Sequence, residues 1–257
     1  MITTAEVGGL SQRILAGDAR AIARAATLAE NHPAAMAALR TALSAHSGRA
    51  MTIGITGPPG SGKSTLVDQL TYTLRNERQT VGIIAVDPSS PFSHGAILGD
   101  RIRMQRHYTD TGVFIRSMAS RGRTGGLAEA VRDVALLLDA AGRDVVLIET
   151  VGVGQQEVEI SQVADVTVLV LAPGLGDDVQ AMKAGIMEIA DVFAINKSDM
   201  PGAERLEQEI RIMQSLGNED ERANTAPIRR IVASEGTGVA DLLAAIRSVH
   251  KTASDGH

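Results

Sequence analysis

The fold of this chain is indicated first by Gly57-Pro58-Pro59-Gly60-Ser61-Gly62-Lys63-Ser64, which has the spacing G-x-x-x-x-G-K-[ST]. This stretch lies between the apolar run Met51–Thr56 and an amphipathic helical pattern. Its glycines let successive backbone N–H groups converge on a phosphate, and the helix N-terminus adds a positive dipole. The stretch therefore predicts a phosphate-binding loop. Lys63 would contact the β- and γ-phosphates, Ser64 would ligate Mg²⁺, and Thr65 would touch the α-phosphate.

Beyond this loop, short apolar runs alternate with amphipathic helical patterns. Parallel strands buried on both faces are continuously apolar, and crossover helices join them. We therefore predict an α/β fold with a doubly wound, mostly parallel sheet, as in P-loop NTPases. Ligands bind such sheets where strands end and helices begin. The predicted strands are 51–56, 81–86, 113–115, 145–148, 166–171, 192–195 and 228–232.

The chain before the first strand has a different, helical pattern. Asp18 is placed to cap a helix that starts at Ala19. We therefore predict a small N-terminal helical appendage over 1–49, a nucleotide-binding domain over 50–250 and a polar tail over 251–257.

Composition excludes several classes of protein. The 257 residues contain no Cys, which excludes a disulfide scaffold and a thiolate zinc site and fits a cytoplasmic protein. The net charge of −5 and the scarcity of aromatics, two Tyr and three Phe, argue against nucleic-acid binding. No apolar run is long enough to span a membrane.

A second motif predicts which base is bound. Asn196-Lys197-Ser198-Asp199 directly follows an apolar run and matches N-K-x-D, which reads guanine in GTPases. The Asp199 carboxylate can accept from N1–H and the exocyclic amine of guanine, whereas adenine would leave it unpaired. Lys197 can lay its stem over the base. The loop 233–238, entered through Val232 and Ala233, is similar to the GTPase loop whose N–H meets guanine O6; a helix-capping turn before Val239 is the alternative.

Acidic residues at predicted strand ends and loops face the phosphate loop. Glu149 ends one strand, where a carboxylate is expected as an outer partner of Mg²⁺. Asp87 ends another strand and Asp100 lies in a loop, although a turn residue and a helix cap, respectively, are alternatives. The Gly152 N–H is predicted to sense the γ-phosphate, which makes 152–160 a candidate switch segment.

An arginine-rich segment has two interpretations. It contains six arginines and only one acid, and it forms either a solvated face or a switch surface directed at a partner or a phosphate. The arginines are Arg101, Arg103, Arg106, Arg116, Arg121 and Arg123.

Three longer runs carry a resemblance to a known family. Residues 86–92, 95–104 and 149–155 resemble the MeaB/MMAA/ArgK family of SIMIBI-class P-loop GTPases. The resemblance implies a GTPase that is slow alone and that an adenosylcobalamin-dependent acyl-CoA mutase, such as methylmalonyl-CoA mutase, stimulates. Its nucleotide state would gate cofactor loading and the release of damaged cobalamin.

The same resemblance implies roles for individual residues. Lys63, Asp87, Asp100 and Glu149 match catalytic positions, and the three acids, with Ser64, match the surroundings of Mg²⁺ and the attacking water. GTP or GDP would bind the phosphate loop, Gly152, Val232, Ala233, and Asn196, Lys197 and Asp199 of the N-K-x-D motif (the base-reading motif). No cobalamin site is expected in this chain, because the mutase and an adenosyltransferase would hold that cofactor.

One departure from the family concerns its C-terminal helical arm, which pairs two protomers in stand-alone members. This chain is either a short form without that arm or a truncated one, so the mode of a homodimer is open, and pairing through the nucleotide face is one alternative. The alternatives to a mutase chaperone are an ATP-dependent kinase of the ArgK type, a nickel-delivery GTPase and a nonhydrolysing adaptor.

Overall fold

The computed structural model describes residues 4–87, 104–119, 126–150, 156–175, 187–216 and 225–255. Within these ranges, α-helices lie between most of the successive strands from residue 51 onwards. The strands are β1 Met51–Thr56, β2 Val81–Asp87, β3 Val113–Ala119, β4 Val145–Glu149, β5 Val166–Leu171, β6 Val192–Ile195 and β7 Ile228–Arg230. The helices are α1 Thr4–Leu15, α2 Ala19–Asn31, α3 Pro33–Leu43, α4 Lys63–Asn76, α5 Gly126–Ala140, α6 Gln156–Ser161, α7 Ala203–Leu216 and α8 Val239–Asp255.

The strands form one seven-stranded sheet in the order β3-β2-β4-β1-β5-β6-β7. The pairs β1–β5, β2–β3, β5–β6 and β6–β7 are parallel. On one side of β1 lie β4, β2 and β3, and on the other side lie β5, β6 and β7. The sheet is therefore doubly wound, and the predicted fold class is confirmed. Its topological switch point lies at β1, whose last residue precedes the phosphate loop.

Two elements extend beyond the apolar runs that predicted them. The edge strand β3 continues to Ala119, because its backbone pairs with β2 along all seven residues although Arg116 and Ser117 interrupt the apolar pattern. The last helix, α8, continues to Asp255, into the residues predicted as a polar tail. Backbone hydrogen bonding, which an apolar pattern does not report, sets both ends.

Residues Met1–Thr52 and Leu74–Ile148 form one compact unit. Asp18 caps α2 as predicted, since its side chain accepts from Arg20 N at 2.8 Å and Ala21 N at 3.2 Å. Arg40 of α3 holds the buried carboxylate of Asp133 on α5 with two hydrogen bonds, at 2.7 and 2.9 Å. The helical appendage is therefore fastened to α5.

Residues Ile53–Thr73 and Glu149–His257 form the second compact unit. Its apolar core surrounds Phe193 of β6, with side chains from β5 and α7 among those packed there. The phosphate loop, Glu149 and the base-reading motif all belong to this unit. No helix of the described residues is both long and apolar enough to cross a membrane.

Candidate nucleotide-binding site

The phosphate loop joins β1 to α4, and two of its glycines are required by close approaches. Gly57 has φ +138°, and a Cβ there would lie 2.1 Å from Val170 O of β5. Gly62 has φ +93°, and a Cβ there would lie 2.3 Å from Asn196 Nδ2. A side chain at either position would therefore collide with the backbone of β5 or with the base-reading motif.

Lys63 is the first residue of α4, and its side chain turns back over the loop. The Nζ atom donates to Gly57 O at 2.8 Å and to Pro58 O at 3.0 Å, and the residue is only 7% exposed. The loop carbonyls thus hold a buried ammonium inside the loop, next to the positive end of a helix. This combination of charge and dipole suits an anion.

Ser64 and Glu149 meet although 85 residues separate them. Ser64 Oγ donates to Glu149 Oε1 at 2.6 Å, and both residues are buried. A hydroxyl and a carboxylate are the hard oxygen ligands that Mg²⁺ prefers, and magnesium sites often use one or two carboxylates together with phosphates of the substrate. The donor set at this position therefore fits the predicted metal. Across the described residues, no group of three or more His, Cys, Asp or Glu forms another candidate site.

Three of the predicted site residues lie partly or wholly outside the described residues. Asp87 ends β2, but its side chain lies outside what the structure describes. Asp100 and Gly152 lie outside the described residues altogether. The assignments of these three residues stay predictions.

Asn196 joins the base-reading motif to both neighbouring loops. Its Nδ2 donates to Ser61 O at 2.8 Å, and its Oδ1 accepts from Ala233 N at 3.0 Å. The side chain is buried, so both bonds are shielded from water. The Asn196 amide therefore fixes both the phosphate loop and the loop 233–238.

Lys197 makes a further link to the phosphate loop. Its backbone has φ +55°, an unusual conformation for a residue with a side chain, and its Nζ donates to Gly60 O at 2.9 Å. Asp199 is exposed in the turn that follows, which Met200 N closes onto Lys197 O. A carboxylate in this place is accessible to a base lying beside the Lys197 stem.

The loop after β7 is a tight turn that also leads into α8. Val232 N donates to Thr237 O at 3.0 Å, which closes the turn, and Leu242 N donates to Gly238 O in the first turn of α8. Ala233 is buried with its N–H on Asn196. The turn therefore has features of both interpretations, since it leads into a helix and is tied to the base-reading motif.

Two buried threonines were not among the predicted site residues. The Thr150 hydroxyl donates to Thr56 Oγ1 at 3.1 Å, at the ends of β4 and β1. Thr150 stands inside the run 149–155, but nothing in its residue type signalled a contact with Thr56.

The arginine-rich segment is described only in part. Arg116 donates to Glu30 of α2 through Nε at 2.8 Å, and Arg106 Nε lies 3.3 Å from His107 Nε2. Arg116 is therefore engaged with the N-terminal helices. The other four arginines lie outside the described residues.

The chain is similar to a family of GTPases and to several known proteins. A family model described as methylmalonyl-CoA mutase-associated GTPase MeaB matches residues 22–256. A Pyrococcus horikoshii protein that carries the name of a GTPase is 51% identical over 244 residues, 94% of this chain and 77% of that protein. GTPase ArgK of Escherichia coli is 41% identical over 203 residues, 77% of this chain and 62% of ArgK. The crystal structure of an LAO/AO transport system kinase has a TM-score of 0.74 and 29% identity, and covers 100% of this chain and 78% of that one.

Proposed function

The chain belongs to the MeaB family of methylmalonyl-CoA mutase-associated GTPases, and we propose that it is a switch that binds and hydrolyses GTP. The observation that carries the proposal is the pair of hydrogen bonds made by the Asn196 side chain, to Ser61 O and from Ala233 N. Through them a phosphate loop and two candidate guanine-reading loops are held as one unit. Such a unit suits a ligand with a guanine base and a phosphate chain.

In this proposal the base is read by Asp199 and its neighbours. The exposed carboxylate accepts from N1–H and the exocyclic amine of guanine, while the Lys197 stem covers one face of the ring. Adenine has no N1–H and carries its exocyclic amine at C6, so it offers neither donor in that arrangement, and ATP would leave the carboxylate desolvated and unpaired, at a cost of about 1–3 kcal/mol. The discrimination against adenine therefore depends on Asp199.

At the phosphate end, the chain supplies charge and orientation. The Lys63 ammonium exchanges the carbonyls of Gly57 and Pro58 for β- and γ-phosphate oxygens, where it offsets the negative charge that builds up during phosphoryl transfer. Ser64 and Glu149 would hold Mg²⁺, with Asp87 and Asp100 assigned to the same group by the resemblance. Bound Mg²⁺ supplies charge neutralisation at the phosphates. Glu149 orients the Ser64 hydroxyl by accepting a hydrogen bond from it, with 2.6 Å between Ser64 Oγ and Glu149 Oε1.

The biological output that we propose is control of a partner. The family description names methylmalonyl-CoA mutase, and we infer that the client is an adenosylcobalamin-dependent acyl-CoA mutase of that kind. The mutase would speed hydrolysis, and the nucleotide state would gate the loading of adenosylcobalamin and protect or reactivate the enzyme. An adenosyltransferase would take part only indirectly, as the source of the cofactor.

The experiment is nucleotide turnover by the purified protein, with GTP and with ATP, alone and with the mutase from the same organism. We expect GTP turnover alone on the order of 10⁻³ s⁻¹, as in GTPases without their activators, and a large rise with the mutase. ATP turnover that matches GTP turnover would favour the kinase alternative that the name of the solved relative suggests. If the mutase left the rate of GTP turnover unchanged, the proposal that it is the partner would be refuted, whereas the proposal of a GTPase would stand.

Matched variants test the site residues. Lys63→Ala should abolish turnover, whereas Lys251→Ala, an exposed lysine on α8, should retain it. Asp199→Asn should shift preference from GTP towards xanthosine triphosphate, because the amide presents a donor where the carboxylate accepted. Full turnover in the Lys63 variant, or unchanged GTP affinity in the Asp199 variant, would remove the role assigned to that residue.

A further inference from the structure

A cavity of about 430 Å³ lies in the second compact unit, next to one face of α8. On one side it is bounded where three strands begin, because Asp165, Asp191 and Pro227 directly precede β5, β6 and β7. On the other side it is bounded by residues that share one face of α8. These residues are Ala245, Ser248, Val249, Thr252 and Ala253.

The cavity is separate from the candidate nucleotide site. The strands β1, β5, β6 and β7 are parallel, so their first residues share one edge of the sheet and their last residues share the other. The phosphate loop follows the end of β1 and the base-reading motif follows the end of β6, whereas the cavity lies where β5, β6 and β7 begin. A ligand there would occupy a different place from the nucleotide, so the site does not depend on the proposed function.

The apolar walls of the cavity are held by hydrogen bonds to the backbone. Ala226 and Ala245 are buried. Ala226 O accepts from Gln214 Nε2 at 2.9 Å, and Pro227 O accepts from Phe193 N at 2.9 Å. The cavity is therefore preformed. Its volume, and a mostly apolar lining with a few polar groups, are typical of sites for small molecules.

Two carboxylates lie on the strand side of the cavity. Asp191 is fixed to β5, since its Oδ2 accepts from Thr167 N at 2.8 Å and its N donates to Thr167 O at 2.9 Å. The Asp165 side chain is 45% exposed, and His250 Nε2 lies 3.9 Å from its Oδ2. The imidazole adds a positive charge only in its protonated form. The strand side of the cavity is therefore acidic.

Arg229 is the positively charged residue of the lining. Its Nη1 donates to Ile228 O at 2.9 Å, so part of the guanidinium is bonded to its own strand. Two carboxylates and one guanidinium leave the lining with a net charge of −1. The helix adds to this sign, because the C-terminal turn of α8 carries the negative end of its dipole. The cavity therefore favours a cation over an anion.

We propose that this cavity binds a small organic cation, in which an ammonium or guanidinium group is attached to an apolar body. The charged group lies near Asp165 and Asp191, and the apolar body packs against Ala226, Pro227 and Val249. The site uses none of the residues assigned to the nucleotide.

The test is a titration of the full chain, followed by two-dimensional proton–nitrogen NMR, with three probes of equal length: hexylammonium, hexanol and hexanoate. The shifts of backbone amides give both the dissociation constant and the place of binding. A pH of about 8 keeps an ordinary imidazole neutral and the alkylammonium charged.

Four variants accompany the titration, and their melting temperatures show whether they fold. Asp165→Asn and Asp191→Asn each remove one negative charge at constant shape, and an amide oxygen in the second variant can still accept from Thr167 N. Val249→Trp fills the cavity from α8. Ala244→Trp is the matched control, because Ala244 is exposed on the same helix and does not line the cavity. The aspartate variants suffice for the test if Val249→Trp does not fold.

We expect hexylammonium to bind the wild type with a dissociation constant on the order of 1 mM, as is typical of so small a ligand. Hexanol should bind about fivefold more weakly, and hexanoate more weakly still. Each aspartate variant should weaken hexylammonium about three- to fivefold and leave hexanol within about twofold. Val249→Trp should abolish binding, whereas Ala244→Trp should retain it. The shifts should centre on the amides of Ala226, Arg229 and Ala253.

Four results would overturn the inference. Hexanol binding as tightly as hexylammonium would make the cavity an apolar crevice without charge selection. Tighter binding of hexanoate would mean that Arg229 dominates and that the ligand is an anion. Unchanged affinity for hexylammonium in both aspartate variants would exclude this cavity as the place of binding. Absence of binding by all three probes would remove the site altogether.

Discussion

Replacing Gly62 by Ala should destabilise the ligand-free protein by an amount that the structure allows us to estimate. The backbone has φ +93° at this position, and an L-residue in a left-handed conformation costs about 1–2 kcal/mol. The new methyl would also lie 2.3 Å from Asn196 Nδ2, so this side chain must move. Its two hydrogen bonds are each worth about 1 kcal/mol net, with more lost where buried partners stay unpaired. We expect the free energy of unfolding to fall by about 3–5 kcal/mol.

Gly60→Ala is the matched control for this prediction. Gly60 lies in the same loop with φ +78°, but nothing lies within 4 Å of a Cβ built there. It should therefore show only the backbone cost of about 1–2 kcal/mol. Urea unfolding followed by circular dichroism measures both variants. If the two substitutions cost the same within about 0.5 kcal/mol, the contact between Gly62 and Asn196 does not constrain the loop and the reasoning fails.

Three further changes have predictable effects on unfolding in urea. Ser61→Ala should raise the unfolding free energy by about 1 kcal/mol, because among the described residues the Ser61 hydroxyl is buried without a hydrogen-bond partner; a loss of stability would contradict this. Arg40→Ala should cost about 2–3 kcal/mol, since it leaves the Asp133 carboxylate buried, although water reaches Arg40 and screens part of the pair; a cost no larger than that of a surface substitution would refute it. The hydrogen bond from Arg75 holds the pKa of Asp110 below its ordinary value of 3.8. The ionised Asp110 therefore stabilises the folded state fully above pH 3.8, and this stabilisation is lost as the pH falls through the lowered pKa. When the pH is lowered from about 5 to about 2–3, the Asp110→Asn variant should therefore lose less unfolding free energy than the wild type. An equal loss in both proteins would show that the Arg75–Asp110 pair does not contribute to the pH dependence of stability.

The sequence predicts the site most directly where its residues are neighbours along the chain. The loop from Gly57 to Ser64 has all of its motif residues in one stretch of chain, so their spacing predicts a phosphate-binding loop without knowledge of any tertiary contact. The strand that precedes it and the helix that follows were likewise readable from apolar periodicity. Asp87 shows the opposite case, because a carboxylate at a strand end is visible in the sequence, but its side chain lies outside what the structure describes and its role stays a prediction.

The contacts that hold the site together could not be predicted in this way. Ser64 and Glu149 are 85 residues apart, and Ser61 and Asn196 are 135 residues apart. Each pair meets because strand order places β4 and β5 beside β1, with β6 next to β5. The contact between Thr56 and Thr150 could not be predicted for the same reason. No sequence pattern tells whether a threonine at a strand end bonds to a buried partner or to water.

The class of fold was predictable from the sequence alone, as were the hypotheses of a phosphate loop and of guanine as the base, because hydrophobic periodicity and short motifs express chemistry that is local along the chain. The tertiary structure decided how these parts are coupled: Asn196 joins three loops, Lys63 lies on the carbonyls of its own loop, and Gly62 has to be glycine because Asn196 occupies the space beside it. Such contacts depend on distances of a few ångströms between residues remote in sequence, and only the order and register of the sheet set those distances.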